Sequence, residues 1–377
     1  MKKIIYILFC FLTFNGLSQN IDYNTLYHDG IIREYIIFTP SNFQSNLPLV
    51  INLHGYTSTA YDQMIYSGMN QTAENNNFIV VYPQGTQDWS GNYFWNSDWD
   101  WAGSVDDVDF IDNLISEISN LYQIDLNNVF ACGMSNGGFM SYKLGCDLSN
   151  KIKGICSVTG AMQNETYNNC TPIGEMPVLS IHGNFDNIIS IFGSGWHQSV
   201  NSTINFWAQH NNAIYSGSHY IDNVSWDGTY SMLYKFKNSN NVKVFNMVVF
   251  GGGHTWPGTS SYSTLTSYDF SASNVIWKFF RQHINGNFKD DFFENIGESL
   301  IYSIYPNPVS QFFELEPKIE KDHNIYVYDV SGVLIKEFKN QPTQKKYIIN
   351  DIQDGIYFII IKKNGEIIAQ EKIVIQK

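Results

Sequence analysis

Apolar residues in this chain follow two rhythms. Short, nearly unbroken apolar runs occupy 33–39, 47–53, 78–82, 129–133, 154–158, 178–182 and 242–250. Between or after them lie 107–122, 137–148, 200–210 and 272–284, where apolar positions recur every three or four residues. The runs predict strands and the periodic segments predict helices. In 107–122, Asp107, Phe110, Leu114, Ile118 and Leu121 fall mostly three or four apart and should form one buried stripe. A strand that is apolar throughout, rather than at alternate positions, is covered on both sides. The expected fold is therefore α/β, a mainly parallel sheet with helices on both faces. No internal repeat is visible.

The two ends follow other patterns. Lys2 and Lys3 precede an apolar run over 4–12, and Gly16 and Ser18 come shortly after it. This is the form of a secretory signal peptide over 1–18, cleaved near Ser18-Gln19 and too short for a comfortable membrane span. Cys10 leaves with it, and Phe9, where a lipoprotein needs a small residue, argues against a lipid anchor. The α/β pattern then fills 19–288, and an acidic, loop-like stretch over 289–299 is the expected linker. From 300 to 377 the chain carries Tyr305-Pro306-Asn307-Pro308 and short strand-like runs over 325–330, 356–359 and 373–375 with turn residues between them. Short strands and no helix predict a small β-sandwich.

Charge narrows the partners. The chain has a net charge of -13, and over 21–288 there are 9 basic against 21 acidic residues with no Lys/Arg cluster. Nucleic acid is not an expected partner, since nothing here could track phosphates. No second apolar stretch is long enough to cross a membrane, so no transmembrane segment is expected in the mature chain. Of the 5 cysteines, four remain after the signal in a chain bound for an oxidising compartment. Cys132 and Cys156 read as small apolar residues in buried strands, whereas Cys146 ends a helix and Cys170 lies in an Asn/Thr/Pro loop. The expected disulfide is Cys146 to Cys170. No zinc-site spacing is present, and neither a metal nor a cofactor is expected.

The chemistry gathers where apolar runs end. The run at 129–133 continues into Gly133-Met134-Ser135-Asn136-Gly137 at a strand-to-helix boundary, the sequence form of a nucleophile elbow with Ser135 as nucleophile. The run at 47–53 ends in His54-Gly55-Tyr56, suited to an oxyanion loop; the two backbone donors would be the N–H groups of Tyr56 and Asn136. The run at 178–182 delivers Gly183-Asn184-Phe185-Asp186, whose carboxylate can orient a histidine. The run at 242–250 enters Gly251-Gly252-Gly253-His254, whose imidazole can act as general base. Asp222 and Asp227 are backup acids, although neither directly follows a core strand. His182 should pack near the acid, and His197, His210, His219 and His283 lack the glycine-rich approach of His254. An aromatic loop over 89–101, with Trp95 and Trp99, could overhang the site and suit sugar rings or a phenolic acyl group; it could equally close on its own aromatic core. Trp256, two residues after His254, is the further candidate for lining the pocket.

At these residues a family resemblance becomes specific. Leu53-His54-Gly55, Tyr82-Pro83-Gln84-Gly85, Val105-Asp106-Asp107-Val108, Gly133-Met134-Ser135-Asn136-Gly137-Gly138, His182-Gly183-Asn184-Phe185-Asp186 and Gly252-Gly253-His254-Thr255-Trp256-Pro257 resemble the polyhydroxybutyrate depolymerase and feruloyl esterase-like group of secreted α/β-hydrolases, including carbohydrate esterase family one. The resemblance implies a Ser135, Asp186, His254 triad and hydrolysis of carboxylic esters through an acyl-enzyme. It implies feruloyl or acetyl esters of plant polysaccharide, or hydroxyalkanoate esters, as substrates, in polymeric or oligomeric form. The tail resembles the C-terminal sorting domain of the type IX secretion system, which implies the secretion machinery as partner and a secreted or cell-surface location. A carbohydrate-binding module and a plain stability domain are the other readings of the tail. For the whole chain, a non-catalytic surface polymer-binding protein and a serine peptidase of the prolyl oligopeptidase type remain as alternatives.

Overall fold

The computed structural model describes residues 20–224, 227–259 and 265–284 and, in the tail, 303–306, 308–316, 323–329, 334–339, 346–363 and 366–377. The expected signal peptide and linker lie outside the described residues.

The first part opens with a hairpin, β1 (Asn20–His28) and β2 (Ile31–Thr39). There follow β3 (Leu49–Leu53), α1 (Ala60–Ser67), α2 (Met69–Asn76) and β4 (Ile79–Pro83). A small hairpin of β5 (Thr86–Gln87) and β6 (Tyr93–Phe94) leads to α3 (Asp107–Tyr122). Next come β7 (Val129–Met134), α4 (Asn136–Asp147), β8 (Gly154–Val158), α5 (Asn164–Asn169), β9 (Val178–Gly183) and α6 (Val200–His210). The part closes with β10 (Ile214–Ile221), β11 (Tyr230–Lys237), β12 (Lys243–Phe250) and α7 (Ala272–Arg281).

Ten strands form one sheet in the order β1-β2-β4-β3-β7-β8-β9-β12-β11-β10. The six from β4 to β12 in that order run parallel, while β1 and β2 at one edge and β10 and β11 at the other pair antiparallel. Alternate strand residues feed two cores. On β7, Val129 and Ala131 face a cluster shared with α3, α4 and α6, whereas Phe130 and Cys132 face one shared with α1, α2 and α7. That two-sided burial explains why the central strands are apolar at every position. The sheet with helices on both faces is an α/β-hydrolase fold.

Strands β1, β10 and β11 escape the apolar-run rule for a physical reason. Tyr23, Tyr27, Ile214 and Tyr215 are exposed, so these strands are specified by pairing and turns rather than by a continuous buried run. Helices α1 and α2 were also not predicted, since each has only eight residues and α2 reads Met-Asn-Gln-Thr-Ala-Glu-Asn-Asn. The α3 stripe is Phe110, Ile111, Leu114, Ile115 and Ile118, all essentially inaccessible, and each contributes about 1.5–3 kcal/mol by leaving water. Leu121, expected in that stripe, is exposed. Asp107 is in it but as a charge: Arg33 donates to its carboxylate at 2.7 Å while lying 3.8 Å over the Phe110 ring.

The tail's strands are β13 (Ser303–Tyr305), β14 (Phe312–Glu316), β15 (His323–Asp329), β16 (Leu334–Phe338), β17 (Tyr347–Ile348), β18 (Gly355–Lys363) and β19 (Glu366–Ile375). They make two antiparallel sheets, β13-β14-β17 and β16-β15-β18-β19. Val309, Phe313, Ile325, Val327, Ile359 and Ile373 are among the residues of the one apolar cluster that both sheets share. Among the described residues no helix is long and apolar enough to cross a membrane.

A disulfide joins Cys146, in the last turn of α4, to Cys170, just after α5, with the Cα atoms 5.1 Å apart. Cys132 and Cys156 are free, buried and paired across β7 and β8. Closing a loop of 24 residues stabilises the fold by about 3 kcal/mol in the chain-entropy account. The double variant Cys146→Ser/Cys170→Ser should therefore unfold at distinctly lower urea concentration than the oxidised parent; coincident unfolding curves would show that the cross-link adds nothing.

Candidate active site

The parallel register brings four strand ends to one edge of the sheet. Leu53 pairs with Gly133, Met134 with Val158, Val158 with Ile181, and Gly183 with Val249. The loops carrying His54, Ser135, Asp186 and His254 all leave from this edge.

Ser135 sits between β7 and α4 with φ 54 and ψ -118, a left-handed conformation that costs a non-glycine residue on the order of 1–3 kcal/mol. Its N–H donates to Val158 O at 2.9 Å, and its carbonyl accepts from Phe139 N–H at 2.9 Å, which starts the helix. The tight junction requires two positions without side chains. A Cβ on Gly133 would lie 2.5 Å from the Gly137 carbonyl oxygen, and one on Gly137 would lie 2.3 Å from Leu53 O. The first N–H groups of α4, Asn136 among them, have no acceptor within the helix and carry its positive end.

The loop after β3 is held from below by a buried imidazole. His54 Nε2 accepts from Gly85 N–H at 3.0 Å, so its proton is on Nδ1, which donates to Gly55 O at 2.8 Å. Burial pushes the His54 pKa down to about 4, and the ring is neutral at neutral pH. The loop then passes close to the serine, since a Cβ on Gly55 would be 3.5 Å from Ser135 Cβ. The Asn136 side chain adds a two-point clamp: its oxygen accepts from Trp95 N–H at 2.6 Å and its amide donates to Trp95 O at 3.0 Å.

Asp186 and His254 meet directly. His254 Nδ1 is 2.8 Å from Asp186 Oδ2, and the carboxylate is buried. The other oxygen, Oδ1, accepts from Ile188 N–H at 2.9 Å and Ile189 N–H at 2.8 Å, while His182 Nε2 lies 3.3 Å from Oδ2 and 2.8 Å from Ile189 O. Burial by itself would raise the Asp186 pKa. Hydrogen bonds from His182 and His254, attraction to His254 and the Ile189 amide outweigh it and hold the carboxyl well below the usual carboxylate range. Three more bonds tie the two loops together: Asn184 N–H to Val249 O, Phe185 N–H to Gly252 O, and Gly251 N–H to Asn184 Oδ1. The backup acids are engaged elsewhere. Asp222 accepts from Tyr220 OH, and Asp227 from the N–H groups of Thr229 and Tyr268.

The aromatic expectations need correction. Trp95 is wholly buried and donates its indole N–H to His54 O at 3.1 Å, so it supports the loop from inside. Trp256 is 1% exposed in the core beside α7, with Nε1 on Ser273 Oγ at 3.2 Å. Its proximity to His254 in sequence does not translate into a lining position, because the chain turns inward after the glycines. Trp99 is half-buried. The roles of Gln84, which faces His54 Nε2 at 3.0 Å, of His182 on Asp186 and of the Asn136 side chain were not read from the sequence; the Tyr-Pro-Gln-Gly motif was the signal for the first.

Two other charged groupings lie apart from this geometry. A cavity of about 500 Å³ is lined by Asp98, Asp106, Asp107, Asp112, Lys143 and Asp147 among others and includes none of Ser135, Asp186 and His254. Its carboxylates are largely committed: Asp107 to Arg33, Asp98 and Asp147 to Lys143, and Asp112 to Lys151. Among the described residues, those arranged like metal ligands are His28, Asp29 and Asp109, whose ligand atoms lie within 4.8 Å of one another at the β1–β2 turn and the first turn of α3.

Comparison with known proteins adds identity to this geometry. The family described as Phospholipase/Carboxylesterase matches residues 37–237, and that described as Secretion system C-terminal sorting domain matches residues 303–376. A bifunctional acetylxylan esterase/xylanase of Neocallimastix patriciarum is 27% identical over 161 residues, covering 43% of this chain and 22% of that protein. Feruloyl esterase B of Piromyces equi is 30% identical over 185 residues, 48% of this chain and 34% of its own length. A poly(3-hydroxyalkanoate) depolymerase C of Paucimonas lemoignei is 28% identical over 125 residues, 32% of this chain and 30% of its own. The chain thus spans about a third or less of the length of these three relatives.

The Asp186 environment sets a pH dependence of stability. A carboxyl with a depressed folded pKa contributes stability that is complete above its unfolded value of about 3.9 and is lost as pH falls toward the folded value. The stability advantage of the parent over Asp186→Asn should therefore shrink on acidification below about pH 4, read as urea midpoints. A gap that stays constant through that range would mean that the charge is not what the site stabilises.

Proposed function

Since the chain belongs to the phospholipase/carboxylesterase family, we propose that it is a serine carboxylic ester hydrolase working through Ser135, His254 and Asp186. The observation that carries this reading is the 2.8 Å contact of His254 Nδ1 with a buried, ionised Asp186, delivered to the same sheet edge as a serine in left-handed conformation. With Nδ1 committed to Asp186, Nε2 is the nitrogen left to take a proton. In the proposed reaction Ser135 Oγ attacks the ester carbonyl as His254 Nε2 removes its proton. The N–H groups of Tyr56 and Asn136 hold the oxyanion of the tetrahedral intermediate. That intermediate collapses with the alcohol leaving, protonated by His254, and an acyl-Ser135 remains. Water, deprotonated by His254, then releases the acid and restores the serine. Neutral His54 supports the oxyanion loop without adding a charge beside it.

The names of the relatives support acetyl or feruloyl esters of plant polysaccharide, or hydroxyalkanoate esters, as the substrates. The sorting domain supports secretion or cell-surface localisation. The proposed organisation is a signal peptide over 1–18, a catalytic domain over 19–288, a linker over 289–299 and an export domain over 300–377.

Two outcomes test the proposal. Ser135→Ala and His254→Ala should each lower kcat on a p-nitrophenyl ester by roughly 10⁶-fold and Asp186→Asn by roughly 10⁴-fold, with folding intact. An Asp186→Asn enzyme of near parental rate would remove the orienting role from Asp186. A chain ending at Gly297 should keep hydrolysis of small soluble esters yet accumulate in the periplasm of a host that has this secretion system. Its appearance outside the cell would show that the tail is not the export signal.

A further inference from the structure

A row of aromatic rings that the proposed chemistry does not use is carried on loops that adjoin the candidate site. Tyr56, Trp101, Trp99 and Trp196 follow one another with ring centroids 6.3, 6.1 and 5.3 Å apart. They come from three segments: the loop after β3, the loop between β6 and α3, and the loop between β9 and α6. Tyr56, Trp101 and Trp196 are 44%, 48% and 42% exposed, but they rest on a buried layer. Phe94 packs under Trp101 at 4.8 Å, and Phe139 under Trp99 and Trp196 at 5.6 Å each. Hydrogen bonds fix the row further, Tyr56 OH to Asp88 at 2.5 Å and Trp99 Nε1 to Trp95 O at 2.9 Å. These rings are held in place without being covered, so a ligand meets them with little further loss of rotamer freedom.

The row is fastened to the site at both ends. Tyr56 follows Gly55, whose absent Cβ faces Ser135. Phe139 is in the first turn behind Ser135 and clusters with Ile189, whose N–H is a donor to Asp186. Both ends of the row are thus tied to segments that adjoin Ser135 and Asp186.

The chemistry of the row selects its ligand. Ring faces bind the apolar C–H faces of a neutral molecule, and no Lys or Arg belongs to the row. Lys143, the cation bonded to Asp98 in the aromatic loop, is shared with Asp147, and the chain as a whole carries a net charge of -13. An anionic ligand is disfavoured there. The length also decides between the two halves of an ester: four rings in steps of 6.3, 6.1 and 5.3 Å extend well past one acyl group, whether acetyl or feruloyl, and fit an extended alcohol. We propose that this row binds the neutral polysaccharide strand that carries the ester, with pyranose rings stacked on Trp101 and Trp196. The proposal takes its substrate from the esterase reading and its binding surface from the rings alone.

Affinity electrophoresis of the full-length protein in gels containing xylan reads the row directly. The parent and Ser135→Ala should both be retarded. Trp101→Ala/Trp196→Ala should migrate as in a gel without polysaccharide, and Trp101→Phe/Trp196→Phe should keep most of the retardation. On esters, the double alanine variant should lose at least tenfold more kcat/KM on acetylated xylan than on p-nitrophenyl acetate, with the loss in KM. An unretarded parent, or equal losses on the two esters, overturns the row. A parent retarded by xylan yet inert on both esters keeps the row and overturns the esterase reading. Hydrolysis of hydroxybutyrate oligomers without retardation overturns the row and leaves the esterase reading standing.

Discussion

A Cβ on Gly137 would sit 2.3 Å from the Leu53 carbonyl oxygen, so α4 can begin against the end of β3 only because that position has no side chain. Much of the site depends on this contact. It lets the chain turn from β7 into α4 within one residue, and that residue, Ser135, is left at positive φ with its side chain at the rim of the sheet. The same approach brings the loop after β3 alongside the serine. The two backbone segments that carry the proposed oxyanion donors are thus set by steric contact between main chains, which leaves little freedom for either to drift.

Around that junction the charges are sorted by burial and by partners. His54 is buried and kept neutral, so it can accept the Gly85 N–H and donate to Gly55 O without bringing a cation under the loop. Asp186 is buried and kept ionised, because two backbone amides and two imidazoles face its oxygens. A carboxylate in that state holds His254 by its Nδ1 and stabilises the imidazolium that proton transfer would create. A single burial rule acting on both residues would give a neutral acid and a neutral base; the difference lies in the donors each meets. Away from the serine the balance differs: burial raises the Asp107 pKa despite the Arg33 guanidinium, and this buried pair anchors the start of α3 to β2.

The aromatic loop links this machinery to its surroundings. Trp95 is turned inward by the Asn136 clamp and the His54 carbonyl, and that inward turn leaves Trp99 and Trp101 to emerge on the outer side. One element therefore braces the oxyanion loop with its first tryptophan and offers rings to solvent with its later ones.

What the sequence by itself determined follows from local rules. Continuous apolar runs marked the strands buried on both faces, the three-to-four spacing marked α3 and α6 at their observed bounds, and chemistry-bearing residues just after those runs had to lie at one edge once the strands were parallel. The two cysteines outside the core strands were separable from Cys132 and Cys156 on the same grounds. What only the tertiary structure decided is what depends on partners far along the chain. The edge strands β1, β10 and β11 exist by pairing with neighbours, so no apolar run announced them. Trp95 and Trp256 differ from Trp101 and Trp196 not in composition or setting along the chain but in which side of a loop the packing turned inward. Asp186 finds His254 across 68 residues and the Tyr56 ring meets Trp101 across three intervening strands, β4, β5 and β6. No local periodicity encodes such meetings, because they are properties of the closed sheet and its loops rather than of any segment within it.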